Sequence, residues 1–287
     1  FKKELKKARE ISEGEGLVGV NIMVAINDYE ELVKEAAKEK VDYIISGAGI
    51  PLNLPELVED EDVLLAPIVS SLKAFKLINK VWTKRYNRFP DFLIVEGTGA
   101  GGHLGFKTDE ITNGQTLEEI AMEIVEEVQK IKMNTEVEIS IFVAGSVYDG
   151  YDLKKFRKLG VTGLQIGTRF IATNECDADP KFKDLIVNST KEDLIIIESP
   201  VGLPGRAIKN KFLEDIKINR RPSKRCINCL KTCSPRETPY CILDALINAV
   251  SGDMENGLFF SGSNVHRINK IVSVKNIIEK IIKEFEE

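Results

Sequence analysis

The chain lacks any apolar run approaching the roughly 20 residues that a membrane-spanning helix needs. Its opening stretch, Phe1-Lys-Lys-Glu-Leu-Lys-Lys-Ala-Arg-Glu10, carries too many charges for a secretory signal. Positive charge is not in excess either: 40 basic residues stand against 45 acidic ones, for a formal net charge of -5. That gives no excess of positive charge to hold a nucleic acid backbone or an anionic membrane, and neither is expected as a partner. The five cysteines are an odd number in a chain without a secretory signal, so no disulfide framework is expected. Histidine is down to two residues, His103 and His266. No low-complexity tract or internal repeat is present, apart from the periodicity described below. These absences leave a cytoplasmic enzyme acting on a small molecule, with neither nucleic acid nor membrane as partner. Methionine is missing at position 1, and the opening reads as a charged amphipathic helix already under way, so the natural start is expected to lie upstream.

What is present is a core. Hydrophobic residues make up 43% of the 287, enough for one large α/β domain or two small ones. From residue 17 to about residue 170, short β-branched runs alternate with amphipathic helical runs, the pattern of parallel βα units. The strand candidates are Leu17–Ala25, Val41–Ser46, Val63–Ile68, Phe92–Glu96, Ile139–Ala144 and Gly163–Ile166. The spacing predicts helices over Tyr29–Lys40 and Leu117–Met133, each with one apolar side to lay against the sheet. Glycine-rich turns at Ser46–Gly49, Glu96–Gly105, Ala144–Ser146 and Gly167–Arg169 all follow the carboxyl ends of strands. In a (βα)8 TIM barrel those ends form one active face, and this favours a barrel over a doubly wound open sheet. Two of eight strands are then expected in the missing amino-terminal segment.

After residue 172 the alternation stops. Residues 1–172 are expected to form the barrel, partial at its amino end. Residues 173–250 are expected to be a helical, cysteine-rich cap, and residues 251–287 a segment whose helix, Val274–Phe285, returns to the barrel wall.

The turns after the last two strands, Ala144-Gly145-Ser146 and Gly167-Thr168-Arg169, offer backbone amides uncovered by side chains, together with hydroxyls. Helix amino termini after them would add partial positive charge. As strands seven and eight of a barrel they would make the fold's habitual phosphate site; plain tight turns are the alternative. In Glu96-Gly-Thr-Gly-Ala-Gly101-Gly102-His103-Leu-Gly105, the glycines let the backbone pass close to a flat ligand. His103, at the active face, can exchange a proton near neutral pH or hydrogen-bond a substrate; a loop histidine held by carbonyls is the alternative. Asn21 and Gly47 end two earlier strands. Asn21 reads either as an amide for the edge of a heterocycle or as a buried structural amide, and Gly47 either as room for a ring or as part of a turn. His266 reads as ordinary structure.

Cys226, Cys229, Cys233 and Cys241 have the spacing C-x2-C-x3-C-x7-C, enough thiolates for a zinc or iron-sulfur site. The spacing matches no common ribbon, finger or ferredoxin pattern, so reduced or structural thiols are expected and no metal ligand is assigned. Arg220, Arg221, Lys224 and Arg225 upstream read as a solvated basic face.

Taken together, Val20–Met23, Ile44–Pro51, Glu96–Gly105, Ala144-Gly145 and Gln165–Phe170 resemble the nitronate monooxygenase family, formerly called 2-nitropropane dioxygenase, which includes related FMN-dependent enoyl-acyl carrier protein reductases. The resemblance covers roughly residues 17–172. It implies a (βα)8 barrel holding FMN non-covalently, with the phosphate near Gly145, Ser146, Gly167 and Thr168. Asn21 and Gln165 would lie near the flavin ring, and Gly47, Gly101 and Gly102 beside the cofactor. His103 matches the family's catalytic histidine, a base towards neutral nitroalkanes. Three departures stand out. The family's amino-terminal strand and its glycine-containing flavin loop are absent, Ser146 replaces a usual glycine, and the cysteine segment has no counterpart in the best-known members.

The implied activity is oxidation of alkyl nitronates or nitroalkanes with O2. An enoyl-acyl carrier protein reductase acting on an enoyl thioester with NAD(P)H is the alternative. A non-catalytic flavin- or metal-binding module is the reading from another class. A homodimer is left open.

Overall fold

In the computed structural model, which describes every residue but Lys224, six strands form one all-parallel sheet. They are β1 (Val20–Met23), β2 (Tyr43–Gly47), β3 (Leu64–Val69), β4 (Phe92–Glu96), β6 (Ser140–Ala144) and β7 (Gly163–Gln165). A two-residue strand, β5 (Gly102–His103), falls between β4 and β6 in the chain but belongs elsewhere. The sheet order β1-β2-β3-β4-β6-β7 follows the chain. Neighbours in sequence are thus neighbours in space, as in a (βα)8 barrel, and a doubly wound sheet with its reversal of strand order is set aside. Among the described residues β1 and β7 are the two edges of this sheet.

Alternation along each strand decides which face every side chain serves. Ile44, Leu65, Leu93, Val95, Ile141 and Val143 point outward into the main core, where the helices Tyr29–Lys38, Leu72–Tyr86 and Leu117–Thr135 cover them. Ile45, Ala66, Ile94 and Ala144 point the other way, into a smaller inner cluster with Tyr43, Ile68, Phe92 and Phe142. The Leu117–Thr135 helix begins where Thr116 and Glu119 close a capping box, Glu119 accepting the Thr116 N–H at 2.8 Å.

Beyond residue 172 the chain builds a second, antiparallel sheet. The hairpin β8 (Leu194–Glu198) and β9 (Pro204–Ile208) pairs through β9 with β5, so the order is β5-β9-β8. The segment expected to be a separate cap therefore takes up the histidine's own strand. The helix Val274–Glu286 packs against the helix Gly150–Lys158, where the Gly150 N–H donates to the Glu284 carboxylate at 3.1 Å. Lys224 of the basic patch lies outside the described residues. No helix among the described residues is long and apolar enough to cross a membrane.

Candidate active site

Two adjoining cavities open along the carboxyl ends of the parallel strands. The first, of about 350 Å³, is lined by the turns after β6 and β7 and by residues 260–264. The second, of about 950 Å³, is lined by the ends of β1, β2 and β3, by His103 to Glu110, and by Gly202 to Pro204. Glu96 lines both.

Of the residues singled out in the sequence, Gly101, Gly145, Ser146, Gln165, Gly167 and Thr168 line the first cavity. Asn21, Gly47 and His103 line the second. Asn21 is exposed on the wall rather than buried as a structural amide. Gly102 lines neither cavity. It sits at φ 77° and turns the chain into β5, opposite Arg206.

The glycine-rich loop differs from expectation in its reason for being glycine. A Cβ on Gly101 would stand 2.5 Å from the Gly262 nitrogen, and one on Gly99 would stand 1.6 Å from the Ser146 hydroxyl. These glycines let the protein's own segments approach, and no flat ligand is needed to explain them. Arg206 on β9 fastens the loop by donating to the carbonyls of Thr98 at 2.5 Å and Ala100 at 2.9 Å.

At Gly167 a Cβ would meet nothing within 4 Å, so its face is open space. Ser146, held at φ 64°, shares a 3.0 Å hydrogen bond with Ser263, and Thr168 accepts the Gly262 N–H at 2.9 Å. The side-chain amide nitrogen of Asn264 is buried without a partner on the same wall. A buried donor left unpaired costs stability of about 1–3 kcal/mol, so it marks a place for an acceptor. The expected helix dipoles are weaker than the sequence suggested. The helix after Gly167 is a single turn, Thr168–Ile171, and the one after Ser146 starts only at Gly150. Backbone amides and hydroxyls therefore dominate this end.

His103 is half-buried between the hairpin and the Phe260 ring, whose centroid lies 5.0 Å away. Its Nε2 shares a 2.7 Å hydrogen bond with Ser199 Oγ, at the end of β8. That hydroxyl also accepts the Val201 N–H at 3.3 Å, and its second lone pair and its proton are both available to Nε2, according to the imidazole tautomer. Burial pushes the imidazole down to about 4. His103 is thus neutral at pH 7 and does not titrate there, contrary to the simple expectation from its type. The group that titrates near neutrality is Glu96, pushed up to about 7 by burial and partly pulled back by the Gly105 N–H.

Glu96, Asn264 and Ser199 were missed as site residues. Glu96 had a signal: in β4 it shares the phase of Phe92 and Ile94, which face inward, so its carboxylate must enter the active face. Gly262-Ser263-Asn264 offered only turn chemistry after the run Leu258–Phe260, and Ser199 offered none at all. His266 Nδ1 donates locally to the Ser263 carbonyl at 3.1 Å and lines neither cavity.

Comparison with known proteins bears on this arrangement. The family model for nitronate monooxygenase matches residues 2–284. A probable nitronate monooxygenase of Staphylococcus haemolyticus is 33% identical over 129 residues, which is 44% of this chain and 34% of the relative. One from Staphylococcus saprophyticus is 32% identical over 124 residues, 43% of this chain and 33% of the relative. The chain thus spans about a third of the length of the curated relatives it matches. The structure of FabK from Thermotoga maritima superposes with a TM-score of 0.77 at 26% identity, covering 99% of this chain and 81% of that one. A nitroalkane oxidase from Streptomyces ansochromogenes shares the fold, with a TM-score of 0.73 at 16% identity, 99% of this chain and 84% of that one.

Proposed function

The chain belongs to the nitronate monooxygenase family, and on that premise we propose that it is an FMN-dependent oxidoreductase of the cytoplasm, oxidising alkyl nitronates or nitroalkanes with O2. In this reading residues 1–172 carry the cofactor, residues 173–250 cap it and residues 251–287 complete the phosphate wall. One observation carries the reading. The two cavities form a continuous active face, with amides and hydroxyls at one end and a half-buried neutral imidazole at the other.

The residues present fit FMN. The orphaned Asn264 amide, the open face of Gly167 and the hydroxyls of Ser146 and Thr168 supply donors for a phosphate, with Gly145 keeping the turn tight. Gln165 and Gly101 lie along the first cavity, Asn21 and Gly47 in the second, and Gly102 aims the histidine strand between them. When bound, FMN supplies the redox chemistry.

The chain does the rest. The hairpin turn helps to bury His103, and in this reading Nε2–H donates to Ser199 Oγ, which fixes the tautomer whose Nδ1 lone pair receives a proton from the carbon of a neutral nitroalkane. A nitronate, already deprotonated, does not need that step. Lys73 and Lys107 on the wall of the second cavity favour an anionic substrate.

The likeness to FabK over 99% of the chain favours a second reading, an enoyl-acyl carrier protein reductase using NAD(P)H. An absorption spectrum of the purified protein, taken before and after anaerobic NADH or NADPH and then with a nitronate, tests both. Flavin bands that persist with the nicotinamide and bleach with the nitronate are expected. Rapid bleaching by NAD(P)H makes the protein a reductase, and absence of flavin bands makes it a non-catalytic module.

A further inference from the structure

The cysteine segment is not absorbed by the flavin reading. All four sulfur-bearing residues, Cys226, Cys229, Cys233 and Cys241, line one small void of about 30 Å³, the scale of a single ion or water. They come from a tight stretch, 226–233, and from the residue that begins the helix Ile242–Val250. The Asn228 N–H donates to Cys226 Sγ at 3.4 Å, and Asn228 takes a positive φ of 55°. A turn that folds a C-x2-C pair around its own amide is suited to thiolate ligands, because the amide stabilises the sulfur's negative charge. None of the four is in a disulfide. Among the described residues no three His, Cys, Asp or Glu side chains stand at coordinating positions. Convergence therefore requires the sulfurs to turn inward about χ1, the one torsion that places a cysteine's sulfur.

The segment is also fastened to the active face. The Asn27 N–H donates to the Cys229 carbonyl at 3.1 Å, the Lys231 N–H donates to the Ala25 carbonyl at 2.9 Å, and Ile26 and Leu230 form an antiparallel bridge. Ala25 to Asn27 is the loop that leaves β1, two residues beyond Met23 of the second cavity. On the other side Thr232 donates to the Val201 carbonyl at 3.1 Å, in the hairpin turn that holds Ser199.

We propose that Cys226, Cys229, Cys233 and Cys241 are the ligands of a thiolate-bound metal centre, zinc or an iron-sulfur cluster, that clamps the β1 loop to the hairpin turn beside His103. The proposal is independent of which substrate the flavin site takes. Four thiolates complete the coordination of zinc or of a cluster and leave no open position for a substrate, so the role proposed for the centre is to hold the two loops together.

The test is purification of the full chain without oxygen, followed by metal and acid-labile sulfide analysis. About one zinc per chain without sulfide, or iron and sulfide in equal amounts, is expected, and the ratio tells the two forms apart. Cobalt(II) titrated into chelator-stripped protein should give thiolate charge-transfer bands, weaker in Cys229→Ser, which keeps three of the four thiolates. Hydrogen exchange at the Asn27 and Lys231 amides should speed up at least about tenfold when the metal is stripped, and recover when it is restored. Because that comparison uses the unaltered sequence, a Cys→Ser variant that fails to fold does not decide the matter. Metal below about a tenth of an equivalent in the native protein, with no cobalt bands, overturns the site. Bound metal with unchanged exchange at both amides overturns the clamp.

Discussion

The two halves of the active face share Glu96 but are made of different materials. The half around Gly145 and Gly167 offers backbone amides, hydroxyls and the Asn264 amide, groups whose charge does not change with pH. The half around His103 is governed by ionisable side chains moved far from their ordinary behaviour by burial. The first arrangement suits holding a constant anion, the second suits moving a proton. A site that must keep a cofactor through many turnovers while transferring protons gains from separating the two tasks.

Removing the imaginary line between the halves is the strongest challenge to this contrast. His103→Ala should cost about 100- to 10,000-fold in kcat/KM on a neutral nitroalkane, as loss of a general base does. Flavin content should be unchanged, and turnover of the nitronate anion far less affected. Equal turnover of the neutral substrate by both proteins would remove His103 from the chemistry. In the other half, Asn264→Ala should weaken FMN about tenfold, by the worth of a hydrogen bond to a charged acceptor. The check is fluorescence titration of the apoprotein, with activity at saturating FMN unchanged.

The pH behaviour sharpens the contrast further. Glu96 titrates near 4.5 when unfolded and near 7 when folded, so the unfolded chain loses its proton first and stability falls as pH rises between those values. His103 runs the other way: from about 6.5 down to about 4 the unfolded imidazole gains a proton that the folded one refuses, and stability falls as pH falls. Between about pH 4.5 and 6.5 the two effects oppose one another, so the apoprotein's Tm should change little there, whereas Glu96→Gln leaves the His103 effect alone and its Tm should rise with pH over the same range. Denaturation curves of both proteins across the range decide it; parallel curves would mean that Glu96 is not held neutral. The smallest effect is expected from Ser199→Ala, about fivefold on the neutral substrate, the value of one neutral hydrogen bond. An effect as large as that of His103→Ala would make Ser199 part of the proton path.

The fold was legible in the sequence where chemistry is local. Every parallel strand falls on its expected run, with β2 and β3 each ending one residue later, because period-two burial and the glycine turns that follow are properties of short segments. The hairpin β8–β9 was seen only as the apolar run Leu194–Ile197, since its partner β5 is two residues long and just over a hundred positions away from β9. The glycines around His103 were legible as a close approach, but the approaching object turned out to be Ser261 and Gly262, which the sequence could not reveal.

The sequence by itself determined the order of the parallel strands, the face on which their turns gather and the identity of the groups that can act there, because backbone geometry and side-chain alternation are set by neighbours. Only the tertiary structure decided the state of those groups. His103 is neutral because Ser199 and Phe260 arrive from distant segments to exclude water, and Glu96 holds its proton up to about pH 7 because burial at the junction of the two cavities disfavours its charge. Desolvation is a property of what surrounds a group in space, and no local pattern encodes it.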